Sequence, residues 1–123
     1  MMSAVKSKNT KLELVVRSAL HRRGFRFRLH GSQLPGKPDL VFPGRRKVIF
    51  VNGCFWHAHT CVLVRLPKTN RTYWMPKLRA NRNRDLANQR RLRRLGWASF
   101  TLWECQIRDV DRAIARAERF LRR

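Results

Sequence analysis

Asp39-Leu40-Val41-Phe42-Pro43-Gly44-Arg45-Arg46-Lys47-Val48-Ile49-Phe50-Val51 is the stretch that decides the fold. Asp39 to Phe42 predicts a short apolar strand stopped by the Pro43-Gly44 turn. Lys47 to Val51 is apolar without alternation, as expected of a central strand covered on both faces. Toward the N-terminus, Ser32 to Pro38 holds two prolines and a glycine and predicts a loop. Phe25 to His30 alternates Phe, Arg, Phe, Arg, Leu, His, which predicts a half-buried strand with its basic residues outward. Thr10-Lys11-Leu12-Glu13 reads as a capping box, and Leu12, Val15, Val16, Ala19 and Leu20 continue it at helical spacing up to a stop at Gly24. Toward the C-terminus, Asn52 to Asn70 is irregular. Lys77 to Leu95 predicts a helix whose polar face is rich in arginine. Trp97 to Trp103 predicts a strand, and Val110 to Leu121 a closing amphipathic helix ended by Arg122-Arg123. Helix, three strands, helix, strand, helix is a mixed α/β plan with a central sheet covered on both faces.

One hundred and twenty-three residues make one domain, with room for a real core. No repeat, low-complexity tract or Gly/Ser linker divides residues 1–123. The chain carries 29 Lys+Arg against 7 Asp+Glu, so its formal charge is 29 − 7 = +22. A disordered basic tail would be poor in apolar residues, yet 43% of this chain is hydrophobic, with four Trp and seven Phe. A folded body with a cationic coat repels itself unless a polyanion neutralises it, so nucleic acid is the expected partner. Charge alone also fits a ribosome-like structural role and, less well, a membrane surface. No apolar run is long enough to span a bilayer, and Met1 to Thr10 has no apolar core of a secretory signal. The expected compartment is a reducing cytoplasm, where three cysteines favour a metal or free thiols over a disulfide framework.

Cys54-Phe55-Trp56-His57-Ala58-His59-Thr60-Cys61 packs four candidate metal ligands into one short loop, and Cys105 supplies a fifth. Thiolate and imidazole at short spacing suit tetrahedral zinc, because one loop can wrap the ion and a remote ligand can close it. Five candidates for four positions leave one over. The bland alternative makes Cys54 and Cys105 small buried hydrophobes and the histidines surface groups.

Few acids stand on so basic a chain. Asp109, Asp111 and Glu118 look like capping and ion-pair residues of the last helix, Asp85 is ringed by arginines, and Glu13 belongs to the capping box. Asp39 has no such local role. A lone carboxylate there can hold Mg2+ through water, with phosphate and backbone oxygens completing the shell. Residues 65–94 hold eleven Lys+Arg and one acid, with Thr72-Tyr73-Trp74 among them. Rings beside such a surface can wedge between bases or stack on them; the alternative is packing beneath an irregular loop. For Trp97 and Trp103, in or beside a strand, packing is the expectation; for Phe55 and Trp56 both readings stand.

Leu34-Pro35-Gly36-Lys37-Pro38-Asp39, the run Val48 to Cys61, Gly96-Trp97 and Trp103-Glu104-Cys105 follow one another in order. From about Lys6 to Arg108 the chain resembles the very-short-patch-repair (Vsr) family of DNA mismatch endonucleases. The resemblance implies a restriction-endonuclease-like fold of the PD-(D/E)xK type, a mixed sheet between helices with a structural zinc site. It implies a Mg2+-dependent enzyme that nicks one strand of double-stranded DNA at a T·G mismatch. Asp39 then matches the magnesium-binding aspartate, and the Val51 carbonyl its neighbouring ligand. His57 matches a catalytic histidine and Glu13 an active-site acid. Cys54, His59, Cys61 and Cys105 match the zinc ligands, which leaves His57 as the spare. Phe55, Trp56 and Trp74 match the aromatics that wedge into the mismatch from the major groove.

The chain departs from the family pattern twice. Asn52 stands where the family has a second catalytic histidine, and the DNA-embracing N-terminal arm is expected to be short. An asymmetric lesion suits a monomer, one that works in the cytoplasm on nucleoid DNA alongside repair proteins. The competing readings are a binding protein that lost its chemistry at Asn52, and a nuclease for another DNA context.

Overall fold

Helix α1 (Lys11–Arg22) puts Val16, Ala19 and Leu20 on one buried stripe, the face its spacing predicts. The structure, a computed structural model, describes residues 11–54 and 68–123, and of residues 68–71 the main chain alone. Helix α1 ends as expected at Gly24, which sits at φ +91, where a side chain would be strained. The Gly24 N–H donates to the His21 carbonyl and the Phe25 N–H to that of Leu20, closing a Schellman cap over buried Phe25. That cap takes Phe25 out of the ladder, so the strand expected over Phe25 to His30 shrinks to β1 (Arg28–Leu29). The alternation survives in part: Phe25 is buried and Arg26 and Arg28 are exposed, but Leu29 is exposed too.

Strand β2 (Leu40–Phe42) is stopped as predicted by a 3-10 turn over Pro43–Arg45, and β3 (Lys47–Asn52) follows. Helix α2 (Lys68–Arg94) starts nine residues before the predicted Lys77 and runs through Pro76. Proline removes one amide donor but keeps a helical φ, so it is compatible with a helix as well as with its start. Strand β4 (Ala98–Trp103) leads into an unpredicted single turn, α3 (Glu104–Ile107), where the Trp103 N–H donates to the Gln106 side chain at 3.1 Å. Helix α4 (Val110–Arg122) is N-capped by Asp109, which accepts from the Arg112 N–H at 3.2 Å.

The sheet runs β1-β2-β3-β4, antiparallel except for the parallel β3–β4 pair that α2 connects. Its two faces bury different residues. Leu40, Phe42, Ile49 and Leu102 meet α1 and α4, while Val41 and Val48 meet Leu92 of α2 beside Trp97 and Phe50. At the start of β3, Lys47 donates to the carbonyls of Phe120 at 2.7 Å and Arg123 at 2.8 Å, and Arg45 to that of Leu121 at 3.0 Å. Cations thus hold the C-terminal end of α4 at that edge. Partial burial, with Arg123 and Arg45 nearby, lowers the Lys47 pKa below the usual lysine value. The other end of β3 carries the candidate site. No helix of the described residues is long and apolar enough to cross a membrane.

Candidate active site

In a sheet with parallel strands, the open carboxyl ends are where functional groups gather. Here β3 outruns β2: its pairing with β2 ends at Ile49, while its pairing with β4 continues through Val51↔Leu102 and Asn52↔Trp103. The Val51 N–H is therefore beyond the β2 ladder, and the Asp39 carboxylate takes it, with Oδ2 accepting at 2.6 Å. Asp39 and Val51, twelve residues apart, are brought together. The bond gives Asp39 a structural task, closing the ladder, and also fixes its carboxylate beside the Val51 peptide.

Only two polar or charged residues among the described ones are buried: Glu13, 1% exposed, and Asn52, 7% exposed. Both are site candidates from the sequence. Burying an ion is costly without partners, and Glu13 has them. Its Oε2 receives Arg17 Nη2 at 2.5 Å from the next turn of α1 and His30 Nε2 at 2.7 Å from beyond β1. The His30 main chain reaches the Asp39 strand, since its N–H donates to the Asp39 carbonyl at 3.0 Å. The expected capping role of Glu13 involves Thr10, which lies outside the described residues. What the structure gives Glu13 instead is a buried ion-pair cluster.

Past Asn52, the Cys54 N–H donates to Glu104 Oε1 at 3.2 Å, and Cys54 Sγ accepts from the Cys105 N–H at 3.4 Å. Two cysteines 51 residues apart thus sit at the adjoining ends of β3 and β4. Cys54 is buried and Cys105 half-buried. His57, His59, Cys61, Phe55 and Trp56 lie outside the described residues, and among the described ones no three candidate ligands gather. Trp74 is half-buried near the start of α2, meeting exposed Tyr73 edge-on with ring centroids 5.0 Å apart. Trp97 packs as expected, with the Arg46 guanidinium 4.9 Å from its ring centroid.

Residues 1–63 match the family model described as DNA mismatch endonuclease Vsr. The DNA mismatch endonuclease Vsr of Escherichia coli (strain K12) is 40% identical over 111 residues, which is 90% of this chain and 71% of that protein. The chain belongs to the Vsr family. Two further relatives carry a different name. The type II nicking enzyme V.XorIIP of Xanthomonas oryzae pv. oryzae is 49% identical over 121 residues, covering 98% of this chain and 89% of that protein. The type II nicking enzyme V.NmeAIP of Neisseria meningitidis is 36% identical, covering 98% and 86%. Vsr membership makes this chain a DNA endonuclease, a phosphodiester hydrolase, and the four-stranded mixed sheet between helices is consistent with the Vsr nuclease fold.

The sequence alone does not single out three residues of the site: Arg17, His30 and Glu104. Arg17 had a legible signal, its i,i+4 spacing from Glu13. Glu104 had one too, standing directly before Cys105. His30 had none, because its partner Glu13 is 17 residues away in another element.

Proposed function

We propose that this chain is a Mg2+-dependent, strand-specific nicking endonuclease acting on double-stranded DNA at T·G mismatches, with a structural zinc site in a restriction-endonuclease-like fold. We read residues 1–123 as one domain that works as a monomer alongside repair proteins. The observation that carries the reading is 40% identity, over 90% of the chain, to a DNA mismatch endonuclease.

The donor set suits the metals. Asp39 offers a carboxylate and Val51 a carbonyl within one hydrogen-bonded pair, the hard oxygens that magnesium takes. Bound there, magnesium would act as a Lewis acid, lowering the pKa of water and offsetting charge on the leaving oxygen. The water oxygen forms a bond to phosphorus as the bond to the 3′-oxygen breaks, and that oxygen takes up a proton. Neutral His57 orients the water or donates to the phosphate, according to its tautomer. Glu13, whose Oε2 is held by Arg17 and His30, would supply the active-site acid that the family pattern places there. Asn52 can donate and accept hydrogen bonds but cannot exchange a proton at neutral pH, so it orients and does not titrate.

Cys54 and Cys105 offer two thiol sulfurs at adjoining strand ends, and His59 and Cys61 would complete a four-ligand zinc site. Phe55, Trp56 and Trp74 are the rings that would enter the mismatch. Zinc binding would be coupled to folding of the loop. Purified protein is expected to carry one zinc, and Cys105→Ala to release it and lower the melting temperature. Zinc-free protein whose melting ignores chelators would end the zinc reading.

The test of the activity is conversion of supercoiled to nicked circles, with and without a T·G mismatch, in Mg2+. Slow nicking confined to the mismatched circle is expected, abolished by Asp39→Ala and raised by Asn52→His. General acid–base assistance is worth roughly 10²–10⁴-fold, which bounds the gain. Relatives named type II nicking enzymes favour a second reading, a nuclease for another DNA context. Equal nicking of both circles would select it, and mismatch binding without cleavage would select a binding protein.

A further inference from the structure

Arg17 and Glu13 share helix α1, so their ion pair says nothing about where that helix sits over the sheet. His30 does. Its ring reaches Glu13 Oε2 at 2.7 Å, and its own N–H donates to the carbonyl of Asp39 at 3.0 Å. A carboxylate only accepts, so the hydrogen of the shorter contact lies on His30 Nε2. The 3.3 Å approach of Arg17 Nη2 to that nitrogen is then two donors meeting on one oxygen. One residue thereby spans the gap between the buried acid on α1 and the aspartate at the head of β2.

The backbone around His30 is built for this. His30 stands at φ +53, a left-handed conformation uncommon for a non-glycine residue. Its carbonyl accepts from the Ser32 N–H at 2.7 Å, and the Gly31 N–H donates to the Pro38 carbonyl at 2.8 Å. Gly31 allows the close turn, since a Cβ there would lie 2.7 Å from Val41 Cγ2. His30 is thus fixed on both sides along the chain and at its ring. Neutralising Glu13 needs only Arg17; a second donor brought in from a held, left-handed position does something further, which is to fix direction.

We propose that His30 is a positioning residue, holding the Glu13 carboxylate in register with Asp39 across the seam between α1 and β2. The assignment rests on the endonuclease reading with Glu13 in the site. It concerns geometry, and is independent of any protonation change of the imidazole.

The test is the nicking rate of the full chain and of three variants over a range of DNA concentrations, with melting temperature and DNA affinity measured alongside. The amide nitrogen of glutamine can take the place of Nε2, whereas that of asparagine falls short of it. A misplacement of about 1 Å in a reacting arrangement can cost on the order of 10²-fold. His30→Ala and His30→Asn are therefore expected to lose roughly 10- to 100-fold in kcat with KM unchanged, and His30→Gln to recover most of it. An unchanged kcat in His30→Ala or His30→Asn overturns the proposal. So does an equal loss in all three variants, or a loss confined to KM. If His30→Ala fails to fold, the contrast between His30→Gln and His30→Asn decides alone, and equal rates there overturn the proposal. Wild-type protein that binds DNA and never nicks it overturns the endonuclease reading and this proposal together; wild-type nicking that Asp39→Ala silences leaves the reading standing whatever His30 shows.

Discussion

Helices α2 and α4 both flank the sheet, and they do opposite work. Helix α4 has 13 residues and buries Ala113, Ile114, Ala117, Phe120 and Leu121. Helix α2 has 27 residues, and of its described side chains only Leu78 and Leu92 are buried. The longer helix adds less to the core. Its surface holds the charge instead, and unequally. Arg84 and Arg91 donate to Asn81 and Asn88, and Lys77 lies over the Tyr73 ring. Arg79, Arg82, Arg90 and Arg93 form an exposed stripe whose side chains meet no partner among the described residues. A helix that carries cations with no partner among the described residues along about 21 Å, at 1.5 Å per residue, is shaped by what it meets outside the fold. One helix serves the fold, and the other serves its polyanion.

The sharpest way to test that contrast is to damage α4. Ile114 is 1% exposed, and Ile114→Ala should cost about 2–5 kcal/mol of stability, read as a lower denaturation midpoint. The dependence of DNA affinity on salt should not move. If the midpoint holds, α4 is not a core element.

The reverse experiment removes charge from α2. Changing Arg79, Arg82, Arg90 and Arg93 together to Gln should leave the midpoint near wild type, because no contact among the described residues is lost. Each phosphate neutralised contributes about 0.9 to the slope of log affinity against log salt, so four lost contacts flatten it by up to about 3.6. An unchanged slope would make the stripe an ordinary solvated face and erase the distinction between the helices.

The smallest effect belongs to the one acid of α4 that ties it to the end of α1. Glu118 accepts from Arg122 and from Arg23, each at 2.9 Å, and these hydrogen bonds hold its pKa below the usual glutamate value. A lowered folded pKa stabilises the fold above the unfolded pKa, about 4.3 for glutamate, and the benefit is lost as pH falls through the folded value. Glu118→Gln should therefore melt slightly below wild type at neutral pH, and the gap should close in acid. A gap that is constant down to pH 3 would mean that the pair's charge contributes nothing.

Local pattern carried much of this molecule. The apolar runs on either side of Pro43-Gly44, the Asp109 cap, the stop at Gly24 and the amphipathic face of α4 are all short-range features, set within a turn or a strand period. Local rules failed where a long-range contact competed. The Phe25 amide went to the α1 cap, and β1 kept only two residues. Helix α2 ran through a proline that reads locally as a start signal.

The site divides the same way. The ligand-rich loop and the lone Asp39 are visible as letters in the sequence, because their chemistry is intrinsic to the residue type; Asn52 stands out only against the Vsr pattern. Their arrangement is not. Asp39 meets Val51 across 12 residues, Glu13 meets His30 across 17, and Cys54 meets Cys105 across 51. The first and third pairings depend on the sheet order and the second on α1 lying over the sheet, and both follow from burying apolar faces that the polar residues do not control. The sequence determined which groups are available and that the partner is a polyanion. Only the tertiary structure decided which carboxylate is buried, and which donors make that burial affordable.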